Sequence, residues 1–212
     1  MLPKQHFYEA QAQTIIRNLE KRNMKGSYFH TAKEAYDYAM ELIPNGASVS
    51  FGGTQTLEEM GMKQAFRNRA DIQLYMRLPD MSYEEADTIY AKAFSADYYF
   101  MSTNGITMEG ELFNIDGWGN RVACLIYGPK HVIVLAGMNK VAPNLDACIA
   151  RARNVAAPAN CFRLDKHTPC TQTGKCSNCL SPETICSQFV YTRHSAIPGR
   201  IHVLLVGEEL GY

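Results

Sequence analysis

The stretch ASVSFGGTQTLEE (residues 47–59) decides the fold class, because a short apolar strand runs through two glycines into a helix. Residues 47–51 are predicted to form the strand. Thr56, followed three residues later by Glu59, predicts a capping box that opens a helix to about residue 68. Strands that alternate with helices of this length are joined by crossover connections, so the pattern predicts a parallel sheet.

The same alternation extends in both directions along the chain. Further strands are predicted over 27–30, 72–77, 98–102, 131–136, 188–193 and 201–206. Further helices are predicted over 6–25, 31–43, 82–95 and from Pro143 to about 155. Residues 111–115 and 121–127 flank the turn-rich 116–120 and predict a β-hairpin.

Together these elements predict an α/β protein with a mainly parallel open sheet and helices on both faces. An N-terminal helix (1–25) precedes a single domain (26–212). A cysteine-rich loop (161–187) is inserted before the last strands.

Composition excludes several classes of protein. The chain has 212 residues, of which 46% are hydrophobic and 20% charged, and 21 basic residues balance 21 acidic ones. A neutral chain lacks the positive field that non-specific nucleic-acid binding requires. No apolar run is long enough to span a bilayer, and the polar start does not resemble a signal peptide. A globular protein that acts away from membranes and nucleic acids is expected.

The first candidate ligand site is the loop after the strand 47–51. Gly52 and Gly53 would let the backbone approach a ligand, while Thr54 and Thr56 would add hydroxyl donors beside a helix N-terminus that favours anions. A tight turn followed by a helix cap is the alternative interpretation. It explains Thr56 and Glu59, but it does not require two glycines and two threonines together.

Three more candidate residues follow other predicted strands. Asn104 and Glu111 come after the strand 98–102, and Lys140 comes after the strand 131–136. Ligands of open α/β sheets bind at the carboxyl ends of the strands, where these residues would meet the glycine loop. A lysine there would neutralise a carboxylate or phosphate. Taken singly, Asn104 is explained by an Asn-Gly turn and Lys140 by a solvated surface charge.

The seven cysteines are the unusual feature of the composition. An odd number without a secretion signal argues against a disulfide framework. Cys170, Cys176, Cys179 and Cys186 lie in one polar loop, with Cys161 and His167 nearby. Four thiolates in such a loop match an all-cysteine zinc site or an iron–sulfur cluster. Free thiols, or a reversible disulfide between Cys176 and Cys179, are the alternatives.

These motifs together resemble the lactate-utilisation (LUD) domain family. The matching runs are FGGTQTLEEMG (51–61), NGIT (104–107), GELFNIDG (110–117), GNRVA (119–123), GPKHVIV (128–134) and GMNK (137–140). The end of the chain, TPC-x5-C-x2-C-x6-C (168–186) and VGEELGY (206–212), is similar to a cysteine-bearing branch of that family.

The resemblance implies a fold similar to the NagB, RpiA and CoA-transferase enzymes and a bacterial, cytoplasmic protein. It also implies a role in oxidation of L-lactate to pyruvate beside iron–sulfur partner subunits, with the chain as an oxidoreductase subunit. Two alternatives stay open: a non-catalytic, zinc-stapled subunit of a larger complex, and an isomerase or CoA-transferase-like enzyme. The oligomeric state stays open, with a homo-oligomer as one alternative.

Overall fold

The helices and strands follow one another in the alternation that the sequence predicts. The computed structural model describes residues 2–78 and 80–212; Met1, the first residue of the predicted N-terminal segment, and Pro79 lie outside them. The helices are α1 (Pro3–Glu20), α2 (Ala32–Glu41), α3 (Gln55–Glu59), α4 (Met62–Arg67), α5 (Tyr83–Phe94), α6 (Asn120–Ile126), α7 (Leu145–Arg151), α8 (Ala157–Arg163) and α9 (Pro169–Thr173). The strands are β1 (Lys25–Phe29), β2 (Ser48–Phe51), β3 (Gln73–Tyr75), β4 (Tyr98–Met101), β5 (Gly105–Thr107), β6 (Leu112–Asp116), β7 (His131–Gly137), β8 (Val141–Ala142), β9 (Gln188–Thr192) and β10 (Ile201–Val206).

The main sheet has six parallel strands in the order β1-β10-β7-β4-β2-β3. Its central strand β7 is apolar from Val132 onward and contributes side chains to both faces: Val132 and Val134 join one buried cluster, and Ile133 and Leu135 join the other. Side chains of a strand alternate between faces, so a sheet covered on both sides needs such a continuous apolar run. The predicted mainly parallel α/β fold is confirmed.

Helices supply the outer layers of this sheet. Ile15 and Leu19 of α1 are buried in the cluster on one face, and Leu57 of α3 with Phe66 of α4 are buried on the other. The helix caps predicted before α2 and α5 form: Thr31 Oγ1 and Ser82 Oγ each accept a hydrogen bond from the backbone N–H three residues later. No helix within 2–78 and 80–212 is long and apolar enough to cross a membrane.

The other four strands form a second, smaller sheet in the order β8-β5-β6-β9. β5 pairs parallel with β8, whereas β6 is antiparallel to both β5 and β9. The two last predicted strands therefore belong to different sheets, with β9 in the small sheet and β10 in the main one. Phe113 and Ile115 of β6 pack with Cys148 of α7 and Ala157 of α8.

The predicted β-hairpin is wrong. Residues 120–126 form helix α6, and β6 pairs instead with β5 and β9. The cause is Asp116, whose carboxylate accepts hydrogen bonds from the backbone N–H of Gly119 at 2.9 Å and of Val122 at 3.3 Å. Gly119 has φ +85°, a conformation that glycine adopts without strain. The turn-rich segment thus starts a helix.

Two other boundaries differ from the predictions. The helix predicted from Thr56 to about 68 is two short helices, separated at Gly61 (φ +68°), and Thr56 lies inside α3 after its N-cap Thr54. The helix predicted to end near 155 continues from α7 through one π-helical stretch, Ala152–Ala156, into α8. Part of the segment predicted to be a loop is therefore helical, and Cys161 is buried in α8.

Candidate functional site

Lys140 lies buried at the carboxyl edge of the main sheet. It ends a short 3-10 turn, Met138–Lys140, that follows directly on β7, and only 3% of the residue is exposed. Its Nζ donates hydrogen bonds to Thr56 Oγ1 and to Ser102 Oγ, each at 2.9 Å. Thr56 follows β2 and Ser102 follows β4, so three parallel strands bring these groups together at one edge.

The electrostatic environment of Lys140 disfavours its charge. Burial, and after it the nearby guanidinium groups of Arg151 and Arg121, lower the pKa of the Lys140 amine to about 7, against the opposing effect of the Glu59 carboxylate. Among residues 2–78 and 80–212 no ion pair includes Lys140. Buried lysines are normally paired, so an amine that has only hydroxyl partners indicates a functional position.

The first of the two loop glycines, Gly52, leaves room for the side chain of Arg121. A Cβ at Gly52 would lie 2.9 Å from both Cγ and Cδ of Arg121, so glycine is needed there for packing. At Gly53 a Cβ would meet no described atom within 4 Å, which leaves open space beside the loop. Thr54 is buried at the N-cap of α3. Of the four predicted loop residues, the structure brings Thr56 into contact with Lys140.

Arg121 is a site residue that the sequence reasoning missed. Its Nη1 donates to Asn114 Oδ1 at 2.6 Å and to the Ser102 carbonyl at 3.1 Å. Its Nη2 donates to the Ile115 carbonyl at 2.6 Å and to Asn104 Oδ1 at 3.1 Å. One buried guanidinium therefore ties the end of β4 to β6. The one sequence signal is an arginine among apolar residues in GNRVA.

Asp116 and burial have opposite effects on the pKa of Arg121. Burial lowers the pKa of the guanidinium, and the Asp116 carboxylate, 3.5 Å from Nε, raises it. An arginine side chain keeps its charge in proteins, so Arg121 and Arg151 place two permanent positive charges near Lys140. Asn104 belongs to this network rather than to Lys140 directly, because its side chain accepts from Arg121 and its carbonyl accepts from Arg151 Nη1 at 2.6 Å.

Glu111 has a different set of partners from Lys140. Its carboxylate pairs with Arg22 at 3.1 Å and accepts hydrogen bonds from Tyr191 Oη at 2.6 Å and Thr107 Oγ1 at 3.1 Å. Tyr191 and Thr107 belong to the small sheet, and Arg22 lies in the turn after α1. The structure therefore does not bring Glu111 together with Lys140.

The segment 207–212 covers Lys140 from the outside. Asn139 binds this segment by two hydrogen bonds. Its Nδ2 donates to the Gly211 carbonyl at 3.1 Å, and its Oδ1 accepts from the Leu210 N–H at 3.2 Å. The Gly211 N–H donates to Glu59 Oε2 at 2.6 Å. A Cβ at Gly211 would lie 2.8 Å from Thr56 Oγ1, so glycine is needed against Thr56, and 3.4 Å from Lys140 Nζ, which is ordinary contact.

A cleft of about 520 Å³ opens beside this segment. Its walls include Asn139 and Arg151 on one side and Glu209, Gly211 and Tyr212 on the other. Arg151 donates to the Asn139 carbonyl at 2.9 Å through Nε, and its second recorded donor is Nη1. Nη2 of Arg151 makes no hydrogen bond to the described residues, and Arg151 lines a cleft large enough for a small anion.

The cysteines of the candidate metal site differ in burial. Cys170 is buried in α9, with Sγ 3.1 Å from Thr168 Oγ1. Cys176, Cys179 and Cys186 are half-buried, and all seven cysteines, each within the described part of the chain, are free thiols. His167 contacts Glu183 and none of these thiols, with Nδ1 3.3 Å from Oε2.

The thiols nevertheless influence one another. Burial, together with the smaller effects of the Cys161, Cys176 and Cys170 thiols, raises the pKa of Cys186 to about 11. Burial also raises the pKa of Cys176, but the Asn178 backbone and the Arg153 guanidinium outweigh it and leave this pKa lowered. Over 2–78 and 80–212, no three His, Cys, Asp or Glu side chains are arranged to hold a metal ion. The metal site therefore stays a prediction.

Comparisons with known proteins identify the family of the chain and solved structures that are similar to it. The family model described as "LUD domain" matches residues 12–206. A search of curated proteins finds no match. A DUF162 family protein from Deinococcus radiodurans is similar in structure, with 11% identity and a TM-score of 0.54 over 94% of this chain and 98% of that one.

Two further solved structures share about half of the chain. Ribose 5-phosphate isomerase A from Neisseria gonorrhoeae has 13% identity and a TM-score of 0.36 over 54% of each chain. The eIF2B delta subunit from Chaetomium thermophilum has 17% identity and a TM-score of 0.38 over 53% of this chain and 48% of that one. Because the family model spans residues 12–206, nearly the whole chain, the protein belongs to the LUD domain family.

Proposed function

We propose that this LUD-domain protein binds a small carboxylate or phosphorylated ligand at the carboxyl edge of its main sheet. The observation that carries the proposal is Lys140, an amine buried among hydroxyl groups and guanidinium charges without a carboxylate partner. A bound anion would supply the missing partner. Charge-assisted hydrogen bonds of this kind are about twice as strong as neutral ones.

The surroundings of Lys140 support an anion rather than a neutral ligand. Arg151 lines the adjoining cleft, and Arg121 adds a second positive charge behind the strand ends. The α3 helix has five residues, so its dipole contributes little. Gly52, Gly53, Thr54, Asn104 and Glu111 remain predictions as ligand contacts, and Thr56 is supported by its contact with Lys140.

Replacing Lys140 with methionine is expected to weaken anion binding tenfold or more, because one charge-assisted contact is lost. The measurement is calorimetric titration of the wild type and Lys140→Met with L-lactate, pyruvate and inorganic phosphate. Lys130→Met is the matched control. Lys130 lies just before β7, at the end opposite Lys140, and its side chain is exposed. Failure of all three anions to bind the wild type, or equal binding by Lys140→Met, would contradict the proposal.

We also propose that the cysteine segment acquires a metal ion, with Cys170, Cys176, Cys179 and Cys186 as ligands. Support comes from the mutual effect of the thiols on the pKa of Cys186 and from the exposure of three of the four. The side chains would have to converge from their present positions on binding. A redox role in L-lactate oxidation beside iron–sulfur subunits, in the cytoplasm, would follow from an iron–sulfur cluster. A zinc ion would favour a non-catalytic docking subunit.

Metal content distinguishes these cases. The expected result for anaerobically purified protein is either about four irons with a visible absorption band or about one zinc per chain. Cys179→Ser should reduce the bound metal strongly, whereas Cys124→Ser, a buried thiol of the main core, should not. A metal-free protein with titratable thiols would contradict the metal proposal and leave the anion site unaffected.

A further inference from the structure

Arg151 lines the cleft beside the segment 207–212 with a guanidinium that is held in place by the backbone. Its Nε donates to the Asn139 carbonyl at 2.9 Å and its Nη1 to the Asn104 carbonyl at 2.6 Å, so two backbone oxygens fix the direction of the side chain. Within the described part of the chain, no carboxylate forms an ion pair with Arg151. A cation fixed in this way is preorganised for the carboxylate of a ligand.

Much of the remaining wall of the cleft is apolar. The residues that offer carbon atoms to a ligand are Val141, Ala142, Pro143, Ala147 and Val155. Val155 is a branched apolar residue that stays 50% exposed. Glu209, the acidic residue among the described residues that line the cleft, already pairs with Lys4 at 3.1 Å. A wall of this kind contributes to binding when a ligand covers it with carbon and displaces water.

A change of helical winding brings the cation and this wall together. The stretch Ala152–Ala156 is π-helical, and the N–H of the residue after it bonds to the Ala152 carbonyl, five residues back. Arg151, directly before this stretch, and Val155, within it, both line the cleft. Single π-helical turns inside α-helices are rare, and they occur frequently at functional sites. The winding of the helix is therefore a second observation, independent of charge, that points to a ligand here.

The cleft is larger than a three-carbon acid requires. Its volume is about 520 Å³. A three-carbon acid such as lactate has about six non-hydrogen atoms, and at about 30 Å³ for each, the share of one water molecule in the liquid, it would fill roughly a third of that space. A ligand that contacts both the guanidinium and the apolar wall is therefore longer than lactate.

We propose that the ligand of this cleft is a monocarboxylic acid with an apolar chain longer than that of lactate, an inference that rests on the anion site proposed above. The Arg151 guanidinium binds the carboxylate, and the chain lies against Ala147 and Val155. A phosphorylated sugar would satisfy the cation, but its hydroxyl groups would lie against carbon and lose hydrogen bonds to water. The apolar wall thus favours the carboxylate over the phosphorylated ligand.

Titration with a homologous series tests this proposal. Saturation-transfer NMR measures the affinity of the wild-type chain for acetate, butanoate and hexanoate, and for hexanamide, which has the chain of hexanoate without its charge. Full burial of a methylene group is worth about a factor of four in affinity. Burial in an open cleft is partial, so we expect about twofold per methylene, which makes hexanoate at least about tenfold tighter than acetate. Hexanamide should bind at least about tenfold more weakly than hexanoate.

Two variants locate the bound chain and the carboxylate. Val155→Ser should weaken hexanoate binding by about threefold and leave acetate binding unchanged, because acetate has no chain to lie on that wall. Ile126→Ser is the matched control, since Ile126 is an exposed branched residue that does not line the cleft. Arg151→Gln should weaken acetate and hexanoate alike. If Arg151→Gln does not fold, as judged by circular dichroism, the chain-length series and Val155→Ser decide.

The possible failures separate this proposal from the anion site. Equal affinities for acetate and hexanoate, equal effects of Val155→Ser and Ile126→Ser, or binding of hexanamide as tight as that of hexanoate would overturn the apolar-chain ligand. Binding of lactate, pyruvate or phosphate in those cases would leave the anion site standing. Absence of binding by every carboxylate and by phosphate would overturn the anion site itself.

Discussion

Replacing Arg121 with methionine is expected to lower the free energy of unfolding by about 3–5 kcal/mol, the cost of breaking a buried charged network by removing one partner. The substitution leaves Asp116 buried with no cation and removes the donors that satisfy Asn114 Oδ1 and the Ile115 carbonyl. Urea unfolding followed by circular dichroism measures the change.

The control for this substitution is Arg17→Met. Arg17 is an exposed residue of α1 that donates one hydrogen bond to Thr14, so its loss should cost less than about 0.5 kcal/mol. A stability of Arg121→Met within about 1 kcal/mol of the wild type would show that the network does not hold β4 and β6 together.

The stability of the wild type relative to Lys140→Met is expected to increase with pH by about 2 kcal/mol between pH 7.5 and 9.5. The pKa of Lys140 is about 7 when folded and 10.5 as a free side chain. In this interval the unfolded chain holds the proton and the folded chain does not. Stability therefore rises with pH, in the opposite direction from a lysine held by a carboxylate.

The comparison with Lys140→Met removes the contribution of every other group that titrates in the same interval. The guanidinium groups of Arg121 and Arg151 stay positive throughout it, so the change in the difference reports on Lys140. Lys130→Met is again the control: pairing with Asp97 raises the pKa of Lys130, so its difference from the wild type should not grow with pH. A constant difference for Lys140→Met would mean that Lys140 is charged in the folded protein.

Local patterns predicted most elements correctly. The capping residues Thr31 and Ser82 start helices where expected, because a side chain bonding three residues ahead is encoded in the sequence itself. Residues 121–127 were misjudged because apolar residues of this length fit either a strand or a buried helix. The choice depended on Asp116, whose carboxylate caps the helix after a left-handed glycine.

The sequence indicates which strand ends carry the candidate residues, but it does not indicate which of these residues contact one another. Lys140 follows a strand in the sequence, but its partners Thr56 and Ser102 lie 84 and 38 residues away along the chain. Glu111 also follows the β4 region, and yet it pairs with Arg22. Arg121 has no motif of its own, because its role arises from carbonyl and amide oxygens contributed by several strands.

The sequence by itself determined a parallel α/β sheet whose glycine, asparagine and lysine loops follow the carboxyl ends of its strands. Strand periodicity, caps and turns act over a few residues, and they are therefore readable locally. Only the tertiary structure decided that Lys140 is buried, forms no ion pair with the described residues and lies under Gly211. Burial and pKa depend on every group within several ångströms, and those groups come from distant parts of the chain.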